Sequence, residues 1–360
     1  MDSLRQLEVW YGQRKVGVLA ITSEGLCAFE YSGEFLAEGF SISPFELPLQ
    51  KGVFVAKRHP FEGGFGVFDD CLPDGWGLLI LDRYLRSVGT NLSELNLLDR
   101  LALVGRSGRG ALEFIPDRSV SSLSQIANMG LLAEKAAELL EEKDCLGESI
   151  AELYQRGGSP GGARPKIFVK SDGCEWLVKF PAKNDSETIG EEEYKYAMLA
   201  KQCGVEMPDV RLFENKYFGT RRFDREDGRK IHVVSMAGLL RADYRIPSID
   251  YWNVFQVSMA LSHDVGELWR VYKLMCFNYL IGNKDDHAKN FSFVFDNGIW
   301  RLSPAYDLLP SEGMGGYHTT SFNNSITPPD NDLTNLASKA GLDAKEAKKV
   351  LCEMRELISK

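Results

Sequence analysis

Residues 281–307 read IGNKDDHAKNFSFVFDNGIWRLSPAYD, and they gather Asp285, Asp286, His287, Asn290 and Asp307 directly behind an apolar segment. In that segment Leu268, Val271, Tyr272, Met275 and Tyr279 recur at helical spacing, which predicts a helix over 264–281. Asp264 is its expected N-cap, Glu267 the reciprocal capping partner and Gly282 the stop. Beyond Asn290, Phe291 to Phe295 reads as a strand, Asp296, Asn297 and Gly298 as a tight hairpin turn, and Ile299 to Leu302 as the return strand. A polar loop is therefore expected between a buried helix and a hairpin.

That loop suits a metal and phosphate site. Asp285 and Asn290 are five positions apart, the interval between the catalytic Asp and the metal-binding Asn of the protein-kinase loop H-R-D-x-x-x-x-N. Asp286 does not keep the interval. Asp307, flanked by Tyr306, Leu308 and Leu309, is expected among apolar neighbours, where a carboxylate needs a cation or donors to offset its desolvation. Asn290 and Asp307 are hard oxygen ligands that suit magnesium, with nucleotide phosphates filling the remaining positions. Taken singly, each of these residues is better explained as a cap or a turn former. The set, at this spacing, points to a site.

A length of 360 residues allows two or three domains or lobes. Hydrophobic content of 44% and charged content of 26% are those of an ordinary globular chain. The opening MDSLRQLEVW lacks a basic segment followed by an apolar one, and no apolar run approaches membrane-spanning length. A cytoplasmic protein with no membrane partner is expected. Seven cysteines scattered without a C-x-x-C pair indicate neither a disulfide framework nor a zinc site. A net charge of −9 argues against the chain being the main binder of nucleic acid, so any DNA contact is expected through a basic partner.

Taken in order, Gln6 to Tyr11, Lys15 to Ile21 and Leu26 to Tyr31 read as short strands. The loop GGFGVFDDCLPD at 63–74 precedes amphipathic helices expected over 76–85 and 92–104. Gly64 and Gly66 lack the strand, helix and lysine context of a phosphate loop. A further helix is expected over 123–143. The stretch RGGSPGGAR at 156–164 excludes regular structure and leaves backbone N–H groups to approach an anion. Strands expected at 166–170 and 175–180 follow it, the second presenting Lys179. A glycine-rich loop over ATP phosphates with a lysine on the next strand is one reading, and a flexible linker the other. In the helix expected over 191–203, Thr188 and Glu191 match a capping box, while Glu193 lies on the side continued by Ala197 and Ala200 and is placed to reach Lys179. Strands at 210–214 and 217–223 lead through Arg221, Arg222 and Phe223 into Asp224. Those residues read either as a lobe-to-lobe connection whose backbone meets adenine or as a surface ion-pair patch. Helices are expected over 235–240, 250–259 and 344–359, the last with an apolar line at Ala347, Val350, Leu351, Met354 and Leu357.

The order of these motifs resembles the HipA family of bacterial serine/threonine kinases, the toxins of type II toxin–antitoxin modules. VFDDCLPDGWGLLILDR, SPGGARPK and GNKDDHAKNF followed by LSPAYDLLP carry the resemblance, which runs from about Val67 to Pro310. It implies an α+β, two-lobed protein-kinase-like fold: a β-rich N-terminal subdomain at 1–120, a kinase-like N-lobe at 121–225 and a mostly helical catalytic lobe at 226–360. Fewer residues follow Asp307 than in the longer members of the family, which implies a shorter helical lobe.

By the same resemblance Asp285 orients the acceptor hydroxyl and takes its proton, Asn290 and Asp307 hold magnesium, and Lys179, supported by Glu193, meets the ATP phosphates. Gly161 and Gly162 belong to the ATP-covering loop, Arg221 to Phe223 lie beside adenine, and Ser159 is the site of an autophosphorylation that silences the kinase. Arg156 and Arg164 flank that serine as possible guanidinium partners for its phosphate. The implied partners are a helix-turn-helix antitoxin that supplies the DNA contact and a protein substrate from translation, such as an aminoacyl-tRNA synthetase, whose phosphorylation arrests growth. Two other readings stand beside this one: a non-catalytic kinase-like scaffold that binds a DNA-binding regulator, and a metal-dependent phosphohydrolase using Asp285, Asp286 and His287.

Overall fold

The structure, a computed structural model, describes residues 3–120, 128–141, 147–157, 162–313 and 315–360. The chain divides into two compact units, Met1–Glu191 with Val210–Val233, and Glu192–Asp209 with Val234–Lys360.

Alternation governs the start of the first unit. Leu7, Val9, Cys27, Phe29 and Tyr31, at every second position of the strands Gln6–Tyr11 and Cys27–Tyr31, are buried. These strands join an antiparallel five-stranded sheet in the order Val53–Val55, Cys27–Tyr31, Arg14–Ile21, Gln6–Tyr11, Leu112–Ile115. Phe68 packs in its core at ring distances of 5.5 Å from Phe29, 6.0 Å from Phe65 and 6.1 Å from Phe114.

Helix Gly75–Ser87 then turns Trp76, Ile80, Leu81 and Leu85 inward. They share one core with Met129, Leu132 and Ala136 of helix Met129–Leu140, with Leu153 and Tyr154 of helix Gly147–Gly157, and with Ile167, Val169 and Val178 of a second sheet. That sheet is antiparallel, ordered Lys166–Ser171, Cys174–Lys179, Tyr217–Arg221, Val210–Phe213. Three expectations change here. The segment 92–104 is a 3-10 turn, Leu92–Glu94, followed by helix Leu97–Val104, because Asn96 and Asp99 form a reciprocal capping box that restarts the chain. Helix Gly147–Gly157 was not anticipated, and Arg156 and Gly157 end it rather than opening a loop; Ile150, Leu153 and Tyr154 give it a buried face. The helix expected over 123–143 is Met129–Leu140, and the parts at 123–127 and 142–143 lie outside the described residues.

His232, also in this unit, is buried with Nε2 2.8 Å from the Ile42 carbonyl. Burial, outweighing that carbonyl, pushes its pKa down to about 4 from 6.5. Between those two values the imidazole is neutral in the folded protein and charged in the unfolded chain. Stability is therefore intact above pH 6.5 and falls as pH drops toward 4, by on the order of 3 kcal/mol for a shift of this size. Urea unfolding at about pH 7 and about pH 5 should show a smaller loss for His232→Gln, which keeps a donor for Ile42 but takes up no proton. Equal losses in variant and wild type would clear His232 as the source.

The second unit is mainly helical. Tyr251–Ser262 starts at Asp250, whose carboxylate takes the Trp252 N–H at 2.7 Å, and Val265–Ile281 starts at Asp264, which takes the Gly266 N–H at 2.8 Å. Glu267 is not the reciprocal cap that its position suggested. It is buried, accepts from Arg270 and takes the Leu302 N–H at 2.7 Å, pinning the helix to the hairpin Ser292–Asp296/Ile299–Leu302. The turn of that hairpin has positive φ at Asn297 and Gly298, as a tight hairpin turn requires. A helix not anticipated, Asp330–Lys339, is tied to helix Ala344–Ile358 by a bidentate Asp330–Arg355 pair at 2.7 Å.

Candidate active site

In the second unit Gly282, at φ +68, ends the long helix, and the chain enters the polar loop. The twin aspartates then part company. Asp285 is exposed, whereas Asp286 is 0% exposed. The buried carboxylate accepts from Tyr251 Oη at 3.0 Å, His318 Nδ1 at 3.0 Å, Thr319 N at 2.9 Å and Thr320 N at 3.1 Å, and the Thr320 hydroxyl donates to the Asp286 carbonyl. So saturated a group is an anchor. Asp285 is bonded through its backbone to the rest of the loop: its N–H donates to Ser311 Oγ at 2.9 Å, and its carbonyl accepts from Asn290 Nδ2 at 2.7 Å. The five-residue interval read from the sequence thus closes a hydrogen-bonded loop.

Asp307 reaches the same neighbourhood from the far side of the hairpin. Its carbonyl accepts from Asn283 Nδ2 at 3.1 Å, and the preceding Tyr306 hydroxyl donates to the Lys289 carbonyl at 2.7 Å beside Asn290. Its side chain is exposed, so the expectation of a desolvated carboxylate among apolar neighbours does not hold. What marks the residue instead is a left-handed backbone, φ +54, a conformation that Asp tolerates better than most residues. Among the described residues no three His, Cys, Asp or Glu side chains cluster as a metal site. The oxygen donors of Asn290 and Asp307 fit magnesium completed by phosphate and water, which is how that ion is usually held.

Of the remaining predicted positions, Lys179, Gly162 and Arg221 to Phe223 belong to the first unit and Glu193 to the second. Lys179 ends strand Cys174–Lys179, buried opposite Lys166 in register, with its ammonium 5.7 Å from the Phe218 ring centre. Glu193 is buried on helix Ile189–Gln202. Gly162 donates its N–H to Asp74 Oδ1 and accepts from the Trp76 N–H at 2.9 Å, while Trp76 Nε1 donates to the Lys166 carbonyl at 3.0 Å. The motif DGWG thereby grips the end of the glycine-rich stretch. A Cβ at Gly75 would sit 2.5 Å from the Gly162 carbonyl oxygen, so only glycine permits that approach. Ser159 and Gly161 lie outside the described residues. The guanidinium groups proposed for a phosphate on Ser159 have other partners: Arg156 pairs with Glu152 at 3.1 Å and Arg164 with Asp185 at 2.9 Å.

Arg221 and Phe223 are half-buried, and Arg222 is buried in an ion network rather than in a surface patch. Asp224 accepts from Arg222 Nη2 at 2.7 Å, Arg225 Nη1 at 3.0 Å and the Gly110 N–H at 2.8 Å, and both arginines donate to the Gly108 carbonyl. Burial alone would raise the Asp224 carboxyl, but these guanidinium groups and the Gly110 N–H outweigh it and hold it well below the usual carboxylate range. The Arg222 side chain is thus committed to structure, and its N–H donates to the Glu175 carbonyl at 2.9 Å.

Sequence reasoning passed over Asn283, Ser311, Tyr251 and His318. One signal was available for Asn283. Its N–H bonds back to the Asn278 carbonyl at 2.9 Å in a Schellman-type helix end, where the residue after the left-handed glycine is usually apolar. An asparagine there, paired at 3.0 Å with Asn278, replaces the usual hydrophobic contact by an amide hydrogen bond.

Comparison with known proteins agrees with this architecture. A family model described as the HipA-like C-terminal domain matches residues 158–360, and one described as the HipA N-terminal domain matches residues 7–115. The serine/threonine-protein kinase toxin HipA of Shewanella oneidensis is 22% identical over 338 residues, 84% of this chain and 74% of that protein. The protein Y4dM of Sinorhizobium fredii is 26% identical over 203 residues, 50% of this chain. The chain spans only about half of some curated relatives, 49% of Y4dM and 55% of one from Haemophilus influenzae. Among solved structures, the Shewanella oneidensis complex of HipA, HipB and operator DNA contains a chain that matches 98% of this one and 91% of its own length, with a TM-score of 0.68 at 20% identity. That likeness is one of fold, and the fold is the protein-kinase-like one. With family domains covering both its β-rich start and the whole stretch from the glycine-rich segment onward, the chain belongs to the HipA family.

Proposed function

We propose that the protein is an ATP- and magnesium-dependent serine/threonine protein kinase, the toxin of a toxin–antitoxin pair. The observation that carries this reading is the frame of the loop: an exposed Asp285, Asn290 bonded to it five residues on, and Asp307 joined to the same frame by Asn283. Magnesium, when bound with the nucleotide, would supply charge neutralisation at the transferring group. Asn290 and Asp307 hold that ion, Lys179 with Glu193 orients the phosphates, Gly161 and Gly162 cover them, and the backbone at Arg221 to Phe223 borders adenine. Asp285 positions the acceptor hydroxyl and accepts its proton. The partner is a helix-turn-helix antitoxin that carries the DNA contact, in keeping with a net charge of −9 on this chain. The substrate class is a translation component such as an aminoacyl-tRNA synthetase, and the site of action is the cytoplasm.

Incubation of the purified protein with magnesium and labelled ATP, alone and with cell lysate, tests the reading. Label on protein serine or threonine is the expected result. Binding of ATP without transfer identifies a scaffold, and release of labelled phosphate with none on protein identifies a hydrolase; either outcome overturns the kinase.

Self-inactivation follows from the same proposal. A phosphate on Ser159 adds roughly −1.5 to −2 charge in the loop over ATP's own phosphates, and the two anions exclude each other. With Arg156 and Arg164 already paired to carboxylates, repulsion and not capture drives the loss of nucleotide. Mass spectrometry should find phosphate on Ser159 in the wild type and none in Asp285→Asn. A Ser159→Glu variant that binds ATP as tightly as wild type would end this account.

A further inference from the structure

Asn283 is 2% exposed, and its side chain is the junction of a closed hydrogen-bond circuit in the second unit. From it one path runs through Ser311, which donates to Asn283 Oδ1 at 3.4 Å and accepts the Asp285 N–H at 2.9 Å. A second runs from Asn283 Nδ2 to the Asp307 carbonyl at 3.1 Å. A third passes from Asn283 Nδ2 to Asn278 Oδ1 at 3.0 Å, from Asn278 Nδ2 to Tyr251 Oη at 2.9 Å, and from Tyr251 to Asp286 Oδ2 at 3.0 Å. Asp286 adjoins Asp285, so the circuit returns to where it began.

We propose that Asn283 is a positioning residue that sets Asp285 and Asp307 in a single frame, with the Tyr251–Asp286–His318 cluster anchoring that frame from beneath. The inference rests on the reading of Asp285 as the base and Asp307 as a metal ligand. The physical need is plain in the geometry. Both residues are exposed, and Asp307 stands in a left-handed conformation that its own preferences do not hold strongly. Their backbones have to be fixed from behind. A single buried amide does so for both, donating to one carbonyl and bracing the hydroxyl that receives the other residue's N–H.

Because the arms of the circuit differ, substitutions should separate two readouts. Asn283→Ala removes all three arms, those to Asp285 and Asp307 among them, and should raise the magnesium concentration for half-maximal ATP binding and lower single-turnover transfer, each by ~10–100-fold, as loss of outer-shell support does. Ser311→Ala touches only the Asp285 arm and should lower transfer by ~10-fold while leaving the magnesium dependence of ATP binding unchanged. Ser311→Thr, which keeps the hydroxyl, should restore transfer. Arg355→Ala serves as a control, since it breaks the distant Asp330 pair and loosens the C-terminal helices without entering the circuit.

A folded Asn283→Ala protein that stays within about twofold of wild type in both readouts overturns the inference. Should that variant not fold, Ser311→Ala indistinguishable from wild type in transfer overturns it instead. Wild-type ATP binding that ignores magnesium removes Asp307 as a ligand and the inference with it, which distinguishes failure of the underlying reading from failure of the positioning role.

Discussion

Asp285→Asn is expected to lower phosphotransfer by ~10²–10⁴ while ATP binding and the fold stay nearly intact. The substitution keeps the side-chain shape and removes the proton acceptor, and the bonds of this residue to Ser311 and Asn290 run through its backbone and are untouched. An exposed change of this kind normally moves stability by no more than about 0.5 kcal/mol. Asp286→Asn is the instructive companion. It puts an amide nitrogen, which can only donate, where four donors converge, so it should act first on stability, by roughly 1–3 kcal/mol for a buried donor left unsatisfied. Transfer by Asp285→Asn at near wild-type rate would mean that the wrong aspartate carries the chemistry.

The second large effect is expected at Asp307. Asparagine is the replacement to use, because it accepts the left-handed backbone found there, whereas alanine adds strain on the order of 1–2 kcal/mol that would confuse the result. Loss of the carboxylate removes a charged magnesium ligand before any chemistry begins, so Asp307→Asn should weaken ATP binding in magnesium toward the level that wild type shows in chelator. Calorimetry with and without the metal reads this directly. Equal affinity of variant and wild type in magnesium would take Asp307 out of the metal site.

Local features were legible in the sequence, and distant ones were not. The interval from Asp285 to Asn290, the capped start of the long helix, its glycine stop and the hairpin turn all lie within a few residues, where spacing and turn chemistry decide the outcome. Glu267 was misread because its neighbours in sequence offered a capping role, while its real acceptor duty, the Leu302 N–H, comes from 35 residues away. The exposure of Asp307 was equally hidden, since apolar sequence neighbours need not be spatial ones. Of the two readings of Arg222, the surface ion-pair patch fails because the residue is buried, its partners Gly108 and Asp224 coming together only in the folded unit. Of the two aspartates, spacing chose between them, but only the fold gives the reason that the other one is present.

The ion network around Asp224 bears on where this chain could be divided. The two family domains end at residue 115 and resume at residue 158, which invites the view of two modules joined by a tether. Yet a carboxylate and two guanidinium groups from the second domain are completed by Gly108 and Gly110 of the first. A polypeptide carrying only residues 158–360 would lose the Gly108 and Gly110 backbone groups that complete this network and would open its charges to water. Gene rearrangements that separate the two halves would therefore have to bring those backbone groups back from another chain, so the contact at Gly108 and Gly110 is one that a separately encoded N-terminal half would have to re-form.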